Sequence, residues 1–225
     1  MARLPNVHPA RHLRKRLIAS LRAVLQRIAA RPDARVPLLS LLDRECDGYQ
    51  AIVAGGAQAC DPHESGHGPL RANEPIIIDI FPRSQRTGYF GDITRTVVRG
   101  RASEGARRLY DTVKRAQELA FGQIRAGVKG AAVHRAVQEF FEREGYKTRR
   151  RDNHMEGFFH GTGHGLGLEI HEAPRLSAHS TDTLQPGHVV TVEPGLYYPE
   201  LGGVRLEDVA LVTARGARNL TRFEK

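Results

Sequence analysis

Four carboxylates set in apolar runs and three closely spaced histidines are the reactive groups that stand out in this chain. Asp79 follows Ile76, Ile77 and Ile78 and precedes Ile80 and Phe81, well inside an apolar run. Glu193 follows Val189-Val190-Thr191-Val192 in the same way. A carboxylate within a buried strand is costly unless it is paired or metal-bound. Asp92 and Glu207 hold comparable places in DITRTVVRG and GVRLEDVALVT. One such acid alone reads as a partly buried residue with an arginine partner. Four in a repeated pattern repel one another, and that demands a cation. The histidines lie in HGTGHGLGLEIHE as His160, His164 and His171, among glycines that let backbone approach a site closely. By themselves they could be surface residues of a flexible loop. Beside four strand acids, one becomes a natural metal ligand and the others acid-base or oxyanion groups.

These residues need elements to position them. Helical periodicity at Leu13, Leu17, Leu21, Val24, Leu25 and Ile28 predicts a basic N-terminal helix over about 11–31, stopped before Pro32, with a short helix over 36–46 after it. YQAIVAGG (49–56), EPIIIDIF (74–81) and DITRTVVRG (92–100) read as strands, the last two separated by a polar loop with Pro82 and Gly88. Apolar stripes predict helices over 103–126 and 130–144, with Gly145 at the natural stop. HVVTVEPGLYY (188–198) and GVRLEDVALVT (203–213) then read as strands, one run each. Two helices leading to two carboxylate-bearing strands thus occur twice, and an internal duplication is the simplest account.

The segments PHES, IIIDIFP, GDITRT, HGTGHGLGLEIHE, VEPGLYY and GVRLEDVALVT, in this order, resemble the pita-bread metallopeptidases, the group of methionine aminopeptidases, aminopeptidase P and prolidases. The resemblance implies an α+β pita-bread fold, with pseudo-twofold duplicated helix-helix-strand-strand units around a central antiparallel sheet. It implies one catalytic domain over 1–225, with the basic helical segment 1–48 packed on it. Asp79, Asp92, His164, Glu193 and Glu207 match the ligand set for two divalent metal ions, Asp92 and Glu207 bridging, Asp79 completing one ion and His164 with Glu193 the other. One histidine and four carboxylates favour Mn²⁺ over a thiolate- or imidazole-rich Zn²⁺ site, with Co²⁺, Fe²⁺ or Zn²⁺ as alternatives.

Within the group, the closest likeness is to the Xaa-Pro-specific branch. His160 resembles the histidine beside the proline pocket, and Arg205 the arginine that supports the ligand cluster. His171 resembles the catalytic histidine near the scissile carbonyl, and His63 in DPHES is preferred to His67 as its companion. Tyr197 matches a site-lining tyrosine, though a core aromatic fits the position equally. The implied reaction is hydrolysis of Xaa-Pro bonds by a hydroxide held between the ions, with Glu193 taking its proton. Methionine aminopeptidase activity and a non-catalytic pita-bread binding module are the alternatives.

Three features depart from the family pattern. Only about 50 residues precede the first matching strand, so the separate N-terminal domain usual in prolidases is not expected. The two aspartates lie 13 positions apart, which enlarges the loop FPRSQRTGYFG at the mouth of the site. His179 stands where some prolidases carry a carboxylate-binding arginine, so Arg83 or Arg86 in the enlarged loop becomes the candidate to grip a dipeptide's C-terminal carboxylate. A solvated surface loop is the plainer reading of the same residues.

Composition sets outer bounds. The chain has 225 residues, 40% hydrophobic and 26% charged, as ordinary globular domains do. No apolar run spans a bilayer, the start MARLPNVHPARHLRKRL lacks a secretory apolar core, and the two cysteines, Cys46 and Cys60, suit a reducing cytosol, so a cytoplasmic protein is expected. The net charge of +9 is local, because residues 1–36 hold nine Arg or Lys against one acid. No aromatics interleave with these arginines, so no specific nucleic-acid partner is expected. Proline-containing dipeptides or short peptides are the expected partners, no membrane is, and homodimerisation stays open.

Overall fold

The computed structural model describes residues 46–47, 51–221 and 223–225, together with Gln26, which is helical. The remainder of the expected helix over 11–31, residues 36–45 of the expected helix over 36–46, and the packing expected of segment 1–48 lie outside the described residues; Cys46, the last residue of that second helix, is in a strand instead.

The first half is built on a three-stranded antiparallel sheet of β2 (Ala51–Gly55), β3 (Pro75–Ile80) and β5 (Ile93–Val98), with β3 in the middle. Every residue of β3 is buried, because its isoleucines serve two layers. Ile76, Ile78 and Ile80 pack with Val53, Leu70 and Ile93 on one face. Ile77 packs with Ala54, Ala59 and Tyr197 on the other. Side chains alternate along a strand, so Asp79 shares the face of Ile77. The register sets Ile52 and Thr94 on either side of Asp79, and Thr96 beside Ile77. That face turns towards the second half of the chain. β1 (Cys46–Asp47) pairs with β4 (Arg83–Ser84) in the loop between the two aspartates.

Two helices follow. α1 (Glu104–Gln123) starts at Ser103, whose hydroxyl accepts from the Ala106 N–H at 3.1 Å and so satisfies one free helix-terminal donor. Leu109, Val113, Ala116 and Ala120 form its buried stripe, and Val133, Val137 and Phe141 that of α2 (Gly130–Arg143). Both stripes pack in one core with Val190, Val192, Ala210 and Val212. Gly145 ends the helical region at φ +88°, a conformation that favours glycine.

β6 (Arg149–Arg151) and β7 (His154–Glu156) form a separate hairpin. The second main sheet runs β14-β13-β10-β8-β9, from β8 (Gly163–Gly165), β9 (Glu172–Leu176), β10 (Val189–Val192), β13 (Asp208–Val212) and β14 (Ala217–Asn219). The histidine-rich stretch thus contains β8, and the glycines around His164 have a packing reason. A Cβ on Gly163 would lie 2.0 Å from the Thr191 carbonyl oxygen, and one on Gly165 2.3 Å from that of Ala173.

The two long strands expected over 188–198 and 203–213 are each broken. The first is β10 followed by β11 (Gly195–Tyr198), and the second is β12 (Gly202–Arg205) followed by β13. Pairing stops at Val192↔Asp208 and resumes at Gly195↔Arg205. Pro194 has no N–H to give to a ladder. The Glu193 N–H goes instead to the Thr162 carbonyl at 2.8 Å, and the Glu207 N–H to the Thr94 carbonyl at 3.1 Å. The break therefore fastens the second half to β5 and turns both glutamates out of the ladder. No helix among the described residues is long and apolar enough to cross a membrane.

Candidate metal centre

The two halves enclose a cavity of about 770 Å³ lined by, among others, Asp79, Asp92, His164, Glu193 and Glu207. Each arrives on a different piece of backbone. Asp79 comes from β3, Asp92 from the residue but one before Thr94 at the start of β5, His164 from β8, and the glutamates from the paired strand breaks. Ligand atoms of Asp92, His164 and Glu207 lie within 4.8 Å of one another, and all three residues are buried. His164 Nε2 stands 3.1 Å from Glu193 Oε1 and 3.8 Å from Asp92 Oδ2. His164 Nδ1 faces the Gly165 carbonyl at 3.0 Å, and a carbonyl only accepts, so Nδ1 carries a proton and Nε2 is turned to the acids.

Neutral and charged neighbours hold each carboxylate in place. Thr94 Oγ1 donates to Glu207 Oε2 at 2.8 Å. Thr191 Oγ1 donates to Glu193 Oε1 at 3.0 Å while accepting from the His164 N–H at 3.0 Å. Arg205 Nη2 donates to Asp79 Oδ2 at 2.6 Å, a buried ion pair. The other oxygen, Asp79 Oδ1, is buried and has no hydrogen-bond partner among the described residues.

The electrostatics show how the cluster shares its charge. Burial, and then repulsion by the neighbouring acids, pushes Asp92 and Glu207 well above the ordinary carboxylate range. Burial also raises Asp79, against the pull of Arg205. Glu193 is the exception: burial acts upward, but the hydrogen bond and charge of His164 outweigh it and hold Glu193 at about 2. Burial pulls His164 down, and Glu193 with Asp92 reverses this to about 8. A divalent ion would meet the need that these protons now meet. An orphaned carboxylate oxygen, oriented imidazole and clustered oxygen donors fit such an ion on their own chemistry.

A second chain of contacts leads away from Asp79. Arg205 Nη1 donates to the Tyr197 hydroxyl at 3.0 Å, and that hydroxyl meets His160 Nε2 at 2.8 Å. His160 Nδ1 donates to the Gly161 carbonyl at 2.8 Å, so Nε2 is left to accept from Tyr197 O–H. Burial holds His160 at about 4, neutral near pH 7. Tyr197 is fully buried, pushed up to about 12 by burial, and it does not itself line the cavity, whereas His160 does.

Of the other residues singled out in the sequence, His63, His171 and Arg205 line the cavity. The His171 ring packs against His164 edge-on with centroids 4.4 Å apart, and burial followed by the His164 charge lowers its pKa. His67 is highly exposed and outside the lining. Arg83 and Arg86 are exposed and do not line the cavity. Arg83 Nε donates to the Gly88 carbonyl at 3.0 Å and its guanidinium stands over Phe90, so the loop turns its arginine back on itself.

Arg175, on β9, does line the cavity, four residues beyond His171, and was not singled out from sequence. Thr94 and Thr191 were also missed. Strand alternation could have found them, since each lies two positions from an acid, Asp92 or Glu193, and shares its face.

The family model described as "Metallopeptidase family M24" matches residues 20–214. The chain is 37% identical over 181 residues to the uncharacterized peptidase YqhT of Bacillus subtilis, covering 80% of this chain and 49% of that protein. It is 34% identical over 189 residues to the Xaa-Pro dipeptidase of Pyrococcus furiosus, covering 84% and 51%. It therefore spans about half the length of the curated relatives it matches. The crystal structure of the prolidase from Pyrococcus horikoshii OT3 superimposes with a TM-score of 0.86 at 28% identity, over 96% of this chain and 61% of that one. The Xaa-Pro dipeptidase from Bacillus anthracis gives 0.85 at 31% identity, over 96% and 60%. With this match and this likeness, the α+β architecture described above is the pita-bread fold, and the chain belongs to metallopeptidase family M24.

Proposed function

We propose that this chain carries the catalytic site of a two-metal peptidase that hydrolyses Xaa-Pro bonds, in the manner the names of its prolidase and Xaa-Pro dipeptidase relatives suggest. The observation that carries the proposal is the joint presence, in one cavity, of the Asp92–His164–Glu207 donor cluster and the orphaned oxygen of Asp79. Asp79, Asp92, His164, Glu193 and Glu207 are the residues that would hold the ions. The oxygen-rich donor set favours Mn²⁺. Such ions, when bound, supply Lewis acidity and make water a nucleophile near neutral pH.

The chain's own groups do the rest. Glu193 keeps a face to the cavity and is held by Thr191, so it is placed to accept a proton from the attacking water. His63 and His171, on the cavity wall, are the donors for the developing oxyanion. His160, neutral and fixed by Tyr197 and Gly161, lines the wall without adding charge, which suits a proline ring that has no N–H to offer. Arg175 is the exposed guanidinium on that wall, and we assign it, in preference to Arg83 or Arg86, to the C-terminal carboxylate of a dipeptide.

The test is an assay of chelator-treated protein on Xaa-Pro dipeptides, Xaa-Pro-Yaa tripeptides and Met-Ala peptides, before and after adding Mn²⁺. Loss of Xaa-Pro hydrolysis on chelation, with recovery on Mn²⁺, is expected. Full activity without detectable metal, or turnover of Met-Ala peptides alone, would overturn the proposal.

A further inference from the structure

Behind the donor cluster, on the opposite side of β5, lies a guanidinium that the reaction does not use. Arg95 is 2% exposed, and all five of its N–H groups are engaged. Nη1 donates to the Thr94 carbonyl at 2.8 Å and to the Glu207 carbonyl at 2.6 Å. Nη2 donates to Asp208 Oδ1 at 2.8 Å and to the Phe223 carbonyl at 3.0 Å, and Nε to the Glu224 carbonyl at 2.8 Å. The pattern follows from strand alternation. Thr94 and Glu207 bond to each other on the cavity side, and their chain neighbours Arg95 and Asp208 bond to each other on the far side.

The contact falls on the seam between the two sheets. β5 and β13 belong to different sheets, and the Glu207 N–H to Thr94 carbonyl bond joins them there. Arg95 grips the carbonyls of both residues in that bond, so it ties down the peptide groups on which the Glu207 carboxylate and its Thr94 partner are mounted. The charge on Asp208 is matched in turn, since Asn219 Nδ2 and Lys225 Nζ reach its Oδ2 at 2.7 and 2.6 Å. An ion pair alone would need only one Arg95 nitrogen. The fork geometry is used for the carbonyls.

We propose that Arg95 is a positioning residue, which holds the Glu207 carboxylate in metal-binding geometry by clamping the seam behind it. The proposal rests on the reading of the cluster as a metal site. Groups that orient metal ligands typically contribute about 10–100-fold in metal affinity. Lysine at this position keeps the charge but offers three donors on a flexible stem in place of a planar fork.

The experiment is calorimetric titration of the metal-free protein with Mn²⁺ alone, for wild type, Arg95→Lys and, as a surface control, Arg149→Lys. Arg95→Lys is expected to weaken Mn²⁺ binding by about 10–100-fold, with Arg149→Lys unchanged. At saturating Mn²⁺ the variant should recover most of its turnover, with KM for substrate little altered. Should Arg95→Lys fail to fold, Asp208→Asn keeps the shape and loosens the same clamp, and is expected to weaken Mn²⁺ binding in the same direction. A variant that melts earlier yet binds Mn²⁺ as wild type does would make Arg95 purely structural and overturn the proposal. Failure of the wild type itself to bind Mn²⁺ would overturn the metal-site reading on which it rests.

Discussion

Removing metal should make the protein's stability fall as pH rises from 6.5 to 8, and the size of that fall can be worked from His164. In the metal-free fold its pKa is about 8, against an ordinary 6.5, because Glu193 and Asp92 outweigh the cost of burial. A histidine raised on folding contributes stability that is fully present below 6.5 and is lost as pH passes 8. A gap of about 1.5 units at about 1.4 kcal/mol each gives a total loss of about 2 kcal/mol over the whole transition, a little over half of it between pH 6.5 and 8. For a domain of this size the total is about 4–8 °C in Tm. Asp92 and Glu207, also raised, act in the same direction and can only enlarge the fall. His134, His160 and His171 are lowered and act in the opposite direction; most of that gain lies below pH 6.5, and the remainder offsets part of the fall above it. Glu193, at about 2, is ionised in both states throughout this range. A metal ion that takes Nε2 of His164 must expel its proton, so Mn²⁺ binding should release protons and tighten from pH 6.5 to 8. Thermal unfolding of chelator-treated protein across that range measures the first effect, and calorimetry in buffers of different ionisation enthalpy counts the protons. Glu193→Gln should flatten the slope, because it removes the partner that raises His164. A metal-free protein at least as stable at pH 8 as at 6.5, or metal binding without proton release, would contradict the protonation assigned to His164.

Two further outcomes are expected. Arg175→Ala should raise KM for Xaa-Pro dipeptides by about 10-fold or more and leave C-terminally amidated substrates much less affected, while Arg83→Ala and Arg86→Ala change neither; steady-state kinetics on paired acid and amide substrates decides this. Glu207→Ala should abolish hydrolysis and lower the number of metal ions bound, whereas His171→Ala should retain both ions and lose about 10²–10⁴-fold in turnover, as metal analysis and kinetics together would record.

The positions of β2, β3, β5, α1 and α2 were legible from local pattern, because the physics that sets them is local, whereas β6 to β9 and β14 were not expected. The isoleucines of β3 and the helical stripes of α1 and α2 are short-range periodicities, and each element forms where its pattern lies. The acids stood out for the same reason, as costly residues within apolar runs. The glycines around His164 were legible as glycines, but not for their main use, which is to let β8 fit between β9 and β10.

Residue types and local pattern thus set the inventory: which residues can ligate, and roughly which strands carry them. The tertiary structure decided how they meet. The breaks at Glu193 and Glu207 depend on carbonyls of Thr162 and Thr94 that no local pattern links to them, and they turned two expected strands into four. The Asp79–Arg205 pair joins residues 126 positions apart, and the Thr94–Glu207 bond residues 113 apart. The same holds for the arginines. Arg83 and Arg175 look alike as residues in polar or edge segments, yet one is folded back onto its own loop and the other faces the cavity. Charge and hydrogen-bonding capacity are written in residue types, but their direction is set by packing between segments far apart in the chain.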